Sequence, residues 1–188
     1  MVEKARTGSA HASKWRCSGP VLGVDLALDY TGLSIYTADG HHQRCLTIQE
    51  KLARRTKNDP PVAEVERIMR MLRVANEIVH VVEMFKIRHV GIEGPAHNAR
   101  YQSHQLGEVA GIVKSQLWLK FKIVPRIVPP SSARKHVLGY GGSIPKDRVT
   151  AAVREGLGIA AANDHEADAT VVARYTFDSV VAEEKELE

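Results

Sequence analysis

The segment VLGVDLALDYTGLSIYT, from Val21 to Thr37, places an acidic residue inside an apolar strand. Five of the six residues from Val21 to Leu26 are apolar or glycine, and the sixth is Asp25. A carboxylate buried in a strand is costly unless a cation or a hydrogen-bond donor pairs with it. The fold must therefore bring a partner to Asp25.

The composition is that of a globular chain. Its 188 residues are 44% hydrophobic and 26% charged, which suits one domain with a sizeable core. The formal charge of +4 and the isoelectric point near 9.1 mildly favour an anionic partner. Two cysteines, Cys17 and Cys45, are too few for a disulfide framework and form no CxxC motif, which indicates a reducing compartment.

The two ends of the chain differ from its middle. We expect a flexible basic arm over residues 1–19, a folded domain over 20–182 and an acidic tail over 183–188. No apolar run approaches the ~20 residues of a membrane span, and no signal-peptide core follows Met1. A cytoplasmic or nucleoid-associated protein is expected, with phage origin left open. An organelle transit peptide is the weaker alternative, because no amphipathic stripe is present.

The order of apolar patterns predicts an α/β fold. Three β-branched runs over residues 21–27, 33–37 and 43–48 indicate an antiparallel meander, and residues 89–93 and 122–128 indicate two more strands. Helical patterns alternate with the later strands. The sequence therefore predicts a mixed sheet covered on both faces.

Some helix details follow from spacing. The first helix is expected to begin after Asp59 as its N-cap and to bury a stripe that includes Val65 and Ile68. In the second helix, Gly107 and Gly111 are expected to permit close packing. Asp164 is expected to be the N-cap of the last helix rather than a ligand.

Four side chains form an acidic constellation. Asp25 lies in the first strand, Glu93 ends the fourth, and His165 and Asp168 are three residues apart on one face of the last helix. Carboxylates brought together repel each other, and oxygen-bound divalent cations relieve that repulsion. Two such ions can stabilise the attacking and leaving oxygens of a phosphodiester displacement.

Three motifs in this chain resemble the acidic motifs of the RuvC-type Holliday-junction resolvases, within the ribonuclease H-like superfamily. They are GVDLALDYTGLSI, VGIEGP and HEADATVVA. Between them, QLGEVAGIV resembles the family's second helix, and ARKHVLGYGGSIPKDRV resembles its basic loop-to-helix segment. The resemblance runs from Val21 to Arg174 in the same order and spacing.

The resemblance implies a ribonuclease H-like fold, with a five-stranded mixed sheet flanked by helices. It also implies a homodimeric, metal-dependent endonuclease that resolves four-way DNA junctions and leaves 5′-phosphate and 3′-hydroxyl ends. The implied cofactor is Mg²⁺, with Mn²⁺ as a substitute and two ions per site. The implied catalytic and metal-binding residues are Asp25, Glu93, His165 and Asp168, with His165 either a ligand or a proton carrier.

The same resemblance implies that Arg134 and Lys146 contact the DNA backbone. Lys135 and Arg148 flank the same glycine-rich loop and are expected to join them. Family members often carry an aromatic wedge a few residues after the second acidic residue, where this chain has Ala96. His97 or Tyr101 could replace it, and we expect Tyr101 to contact the junction.

Three alternatives remain open. An actin-like or sugar-kinase ATPase also begins with an acidic first strand, but no second glycine-rich phosphate loop follows here. A related nuclease could act on RNA, flaps or other branched DNA. A non-catalytic junction-binding protein could keep the fold, although intact Asp25, Glu93 and Asp168 argue against it.

Overall fold

The computed structural model describes residues 16–51, 63–94, 103–141 and 145–187. These residues form five strands and five helices. In chain order they are β1 (Val21–Asp25), β2 (Tyr30–Tyr36), β3 (His42–Gln49), α1 (Glu64–Met84), β4 (His89–Glu93), α2 (Ser103–Phe121), β5 (Arg126–Val128), α3 (Pro130–Leu138), α4 (Lys146–Leu157) and α5 (Asp164–Glu186).

The five strands form one mixed sheet in the order β3-β2-β1-β4-β5. The first three are antiparallel neighbours, whereas β4 is parallel to both β1 and β5. Val24 is paired with Ile92, so the next residue of each strand, Asp25 and Glu93, comes at the same edge of the sheet. The predicted fold class is confirmed.

Alternation along β1 decides what each face of the sheet meets. Leu22 and Val24 belong to a core shared with α1 and α2. Val21 belongs to a second core, formed with α3, α4 and α5. Because side chains alternate across a strand, Asp25 shares a face with Val21 and is directed toward α5.

Two glycines let α5 lie directly on the strands. A Cβ added to Gly23 would lie 2.2 Å from the Ala169 carbonyl oxygen, and one added to Gly32 would lie 2.0 Å from the His165 carbonyl oxygen. No side chain fits at either position unless the helix moves away. This close approach fixes the height of the first turns of α5 above Asp25.

Several helix predictions were wrong in detail. Val65 and Ile68 are 71% and 44% exposed, because the buried face of α1 begins only at Arg70. Gly107 and Gly111 would meet nothing within 4 Å of an added Cβ, so they are not packing sites. The N-cap of α5 is Asn163, one residue before Asp164.

The remaining expectations are partly outside the described residues. Most of the predicted basic arm lies there, as does Asp59. The prediction of Asp59 as the N-cap of the first helix was wrong, because α1 begins at Glu64 with Ala63 as its N-cap. Near the end of that arm, Cys17 is buried and its amide donates to the Ala38 carbonyl. In the described part of the chain, no helix has both the length and the apolar character of a membrane span.

The packing of α5 predicts the effect of one added methyl group. Gly23→Ala should lower the free energy of unfolding by at least ~1–3 kcal/mol, because the overpacked atoms are helix backbone that cannot rotate away. Equilibrium denaturation in urea would measure this. Gly156→Ala is the matched control, since an added Cβ there meets nothing within 4 Å; it should hold or raise stability by up to ~1 kcal/mol. Equal effects of the two changes would contradict the close-packing account.

Candidate active site

The partner of the buried carboxylate is a histidine. Asp25, at the end of β1, lies with its Oδ2 2.7 Å from Nδ1 of His165 in the first turn of α5. The Tyr30 ring stacks on the imidazole, with ring centroids 5.9 Å apart and planes 19° from parallel. The imidazole is thus held from two sides, and Asp25 has the hydrogen-bond partner that its burial requires.

A second contact joins the other two carboxylates. Nη2 of Arg134, from α3, lies 2.8 Å from Oδ1 of Asp168 and 3.8 Å from Oε1 of Glu93. Asp168 is buried and Glu93 is largely so. Sequence reasoning placed Asp168 here and expected Arg134 on the DNA backbone; in the structure Arg134 lies among the acidic residues. We call Asp25, Glu93, His165 and Asp168 the acidic site.

The acidic site is electrostatically strained. Burial, together with the neighbouring Asp25 carboxylate, raises the pKa of Glu93 to about 9. Burial also raises the pKa of Asp168, although the Arg134 guanidinium opposes that rise. The hydrogen bond to Asp25 raises the pKa of His165. The cluster thus carries more negative charge than its buried position favours.

The start of α5 is held in place by a polar network that the sequence analysis missed. Asn163 accepts a hydrogen bond from the Glu166 amide, and the Glu166 carboxylate accepts from Thr47 Oγ1 and from the Ala162 amide, each at 2.8 Å. Glu166 thus points away from the acidic site. The sequence did contain a signal for this network, because Asn at the N-cap with Glu three residues later is a capping-box pattern.

The predicted DNA-contacting residues lie in different settings. Nζ of Lys146 is 2.6 Å from Oδ2 of Asp164, which lowers the pKa of that carboxyl group. Lys135 and Arg148 are exposed. Tyr101, like Ala96 and His97, lies outside the described residues. The DNA-binding assignments therefore stay predictions.

A hollow of about 280 Å³ lies beside His165. Its wall includes Tyr30, Arg70, Gln105 and Leu106. A larger hollow of about 650 Å³ lies at the opposite end of β4, against His89. We regard the smaller hollow as part of the candidate active site, because His165 of the acidic site lines it.

The donor set of the acidic site suits a hard divalent cation. Its three carboxylates supply the oxygen ligands that Mg²⁺ and Mn²⁺ prefer. Burial and, after it, the neighbouring Asp25 carboxylate raise the pKa of Glu93, and a bound cation would favour its charged form. Among the residues described, no group of three or more His, Cys, Asp or Glu side chains is arranged so that it could hold a metal ion. Asp25 faces His165 and Asp168 faces Arg134 instead.

Comparison with solved structures identifies the fold. RuvC from Thermus thermophilus is 17% identical to this chain, with a TM-score of 0.62 over 88% of this chain and 96% of that one. The chain has the RuvC fold. The same protein in complex with a Holliday junction substrate gives 18% identity and a TM-score of 0.64, covering 87% of this chain and 96% of that one. The yeast mitochondrial Holliday junction resolvase Ydc2 gives 8% identity and a TM-score of 0.60, covering 93% of this chain and 85% of that one.

No family model and no curated protein sequence matches the chain. The structural likeness thus holds at low sequence identity and establishes the RuvC fold. Under that fold, the predicted acidic residues of β1, β4 and α5 lie at one edge of the sheet.

The pKa of Glu93 predicts how a neutral variant changes stability with pH. Its pKa is raised on folding, so between about pH 4.5 and about pH 9 the folded protein binds a proton that the unfolded chain lacks. Stability is therefore lost as pH rises through this window. Glu93→Gln removes that loss, so its advantage over wild type should grow from pH 5 to pH 9, by about 1.4 kcal/mol for each unit of pKa shift.

Thermal unfolding in excess chelator would measure this difference. Glu77→Gln is the control, because Glu77 is exposed on α1, and its difference from wild type should not vary with pH. A constant difference for Glu93→Gln as well would contradict the raised pKa.

Proposed function

We propose that this protein is a divalent-metal-dependent endonuclease that resolves four-way DNA junctions. The observation that carries the proposal is the acidic site itself, with Asp25, Glu93 and Asp168 at one edge of a sheet that has the RuvC fold. The fold is shared with a RuvC that was solved with a Holliday junction substrate, which supports branched DNA as the substrate.

The proposed reaction is hydrolysis of one phosphodiester bond, leaving a 5′-phosphate and a 3′-hydroxyl. Asp25, Glu93 and Asp168 would hold Mg²⁺ or Mn²⁺, with two ions per site. When bound, such ions neutralise charge on the phosphate and lower the pKa of water. The residues themselves bind and orient: the two neighbouring strands hold Asp25 and Glu93 rigidly, and α5 supplies Asp168 from above.

His165 has two possible roles, as a ligand or as a proton carrier. Its Nδ1 is engaged by Asp25, which leaves Nε2 for a ligand or for a proton. The hydrogen bond to Asp25 raises the pKa of His165 above that of a free imidazole. Tyr30 restricts the ring orientation in either role.

Substrate binding is proposed for the segment around α3 and α4. Lys135 and Arg148 are exposed there and can approach phosphates, while Lys146 would exchange Asp164 for phosphate. Tyr101 is proposed to take the place of the aromatic wedge. A homodimer is proposed because a junction presents two symmetry-related strands, and a two-fold dimer offers two identical sites.

Cleavage of defined substrates tests the function. With Mg²⁺ or Mn²⁺, wild type should cut a synthetic four-way junction in preference to duplex, flap and RNA–DNA hybrid substrates. Ca²⁺ should support binding without efficient cutting, because its longer and looser coordination misplaces the reacting groups. Asp25→Asn should reduce cleavage by orders of magnitude while junction binding is retained or strengthened.

Gel electrophoresis of end-labelled strands measures cutting, and fluorescence anisotropy in Ca²⁺ measures binding. Glu77→Gln, which removes a carboxylate from the exposed face of α1, should leave both unchanged. Full cleavage in excess chelator would refute the metal mechanism. Preferred cutting of flaps or hybrids would support the related-nuclease alternative, and binding without any cutting would support the non-catalytic one.

The salt dependence of junction binding tests the proposed DNA surface. Lys135→Ala combined with Arg148→Ala should weaken binding and reduce the slope of log affinity against log salt by roughly one per lost phosphate contact. Lys114→Ala combined with Lys120→Ala is the matched control. These residues are exposed on α2, which packs with α1 on the other face of the sheet. Equal slopes in both double variants would contradict the assignment.

A further inference from the structure

Arg134 is the one described cation in direct contact with two carboxylates of the acidic site. Its Nη2 atom lies 2.8 Å from Asp168 and 3.8 Å from Glu93. The side chain of Arg134 is 17% exposed, that of Asp168 is 6% exposed and that of Glu93 is 16% exposed. A guanidinium so enclosed interacts with carboxylates more strongly than a surface one does, because less water screens the charges.

The helix that carries Arg134 is fixed to the helix that carries Asp168. Ala133 is fully buried against α5 and its surroundings. Nε2 of His136 is 3.0 Å from Oδ2 of Asp178, and the His136 ring meets the Tyr175 ring edge to face. Both partners lie on α5. The backbone at Arg134 therefore stays in place while its long side chain remains able to rotate.

The guanidinium and a divalent ion compete for the same oxygens. An Mg²⁺ or Mn²⁺ ion is held by carboxylate oxygen at about 2.1 Å, and Oδ1 of Asp168 already accepts a hydrogen bond from Arg134. Binding both would bring a single and a double positive charge together in a buried site. Electrostatic repulsion between them favours only one occupant at a time.

We propose that Arg134 is a built-in counter-cation of the acidic site, which a divalent ion must displace from Asp168 and Glu93. The ion then occupies the carboxylates, and the released guanidinium is available to a DNA phosphate. Metal binding and DNA binding are thereby coupled through one side chain, so each strengthens the other. Arg134 acts as a positioning residue for the metal-free protein and as a regulator of metal affinity. This inference rests on the proposed metal-dependent function.

Mn²⁺ binding to the full chain without DNA tests the proposal. Free Mn²⁺ would be measured by electron paramagnetic resonance during titration. Arg134→Gln should bind Mn²⁺ about tenfold more tightly than wild type, within the range of ordinary coupling between two binding events. Arg134→Lys, which keeps a positive charge, should lie between the two. Arg126→Gln is the control, because Arg126 forms a comparable pair with Glu183 at the surface, and it should match wild type.

A second measurement needs no loss of the side chain. Arg134 donates to Asp168 from Nη2. The Nη2–H resonances of Arg134, assigned by their absence in Arg134→Lys, should be protected from exchange in chelator and should shift and lose protection when Mg²⁺ is added. Resonances that Mg²⁺ does not change would overturn the proposal.

The outcomes separate this inference from the proposed function. Equal or weaker Mn²⁺ binding by Arg134→Gln, in a protein whose wild type binds Mn²⁺ and cuts junctions, overturns the counter-cation role alone. Absence of Mn²⁺ binding in wild type and in Arg134→Gln overturns both. In chelator, Arg134→Gln should also melt at a lower temperature than wild type and gain more from added Mn²⁺, because its carboxylates lack their resident cation.

Discussion

The direct contact of α5 with the sheet is the constraint on which the rest of this structure depends. Gly23 and Gly32 leave room for helix backbone where any side chain would collide. The same close approach lowers His165 to hydrogen-bonding distance of Asp25 and places Asp168 beside the end of β4. A larger helix-to-sheet distance would bury the same apolar residues but would separate the four members of the acidic site.

The short distances between the carboxylates of the acidic site make them repel one another. Three carboxylates share a poorly solvated space, and the raised pKa of Glu93 shows that the protein resists charging all of them. His165 is hydrogen-bonded to Asp25, and Arg134 contacts both Asp168 and, at a longer distance, Glu93. Crowded charge of this kind reduces stability, and its position at one edge of the sheet is consistent with a functional site.

The two faces of the sheet differ in the side chains that cover them. On one face α1 and α2 form a largely apolar core, whereas on the other α3 and α4 bring basic side chains next to the acidic site. Under the proposed function, these basic side chains would hold phosphates of a polyanionic substrate beside the carboxylates. The RuvC fold persists here at 8–18% identity to the structures compared, so the architecture depends on apolar pattern and close packing more than on particular residues.

The sequence alone was sufficient for most of the elements, although it did not predict α3, and it singled out the acidic residues. Strand and helix periodicities depend on near neighbours, so the mixed sheet could be predicted, and Asp25 and Glu93 stood out against apolar strands. The exposure of Val65 and the destination of Arg134 could not be predicted. Its neighbours in the sequence show only that Arg134 belongs to a basic segment. Its partner, Asp168, is 34 positions away. Which of several carboxylates or phosphates a long cationic side chain meets is decided by how α3 packs on α5, and only the tertiary structure sets that geometry.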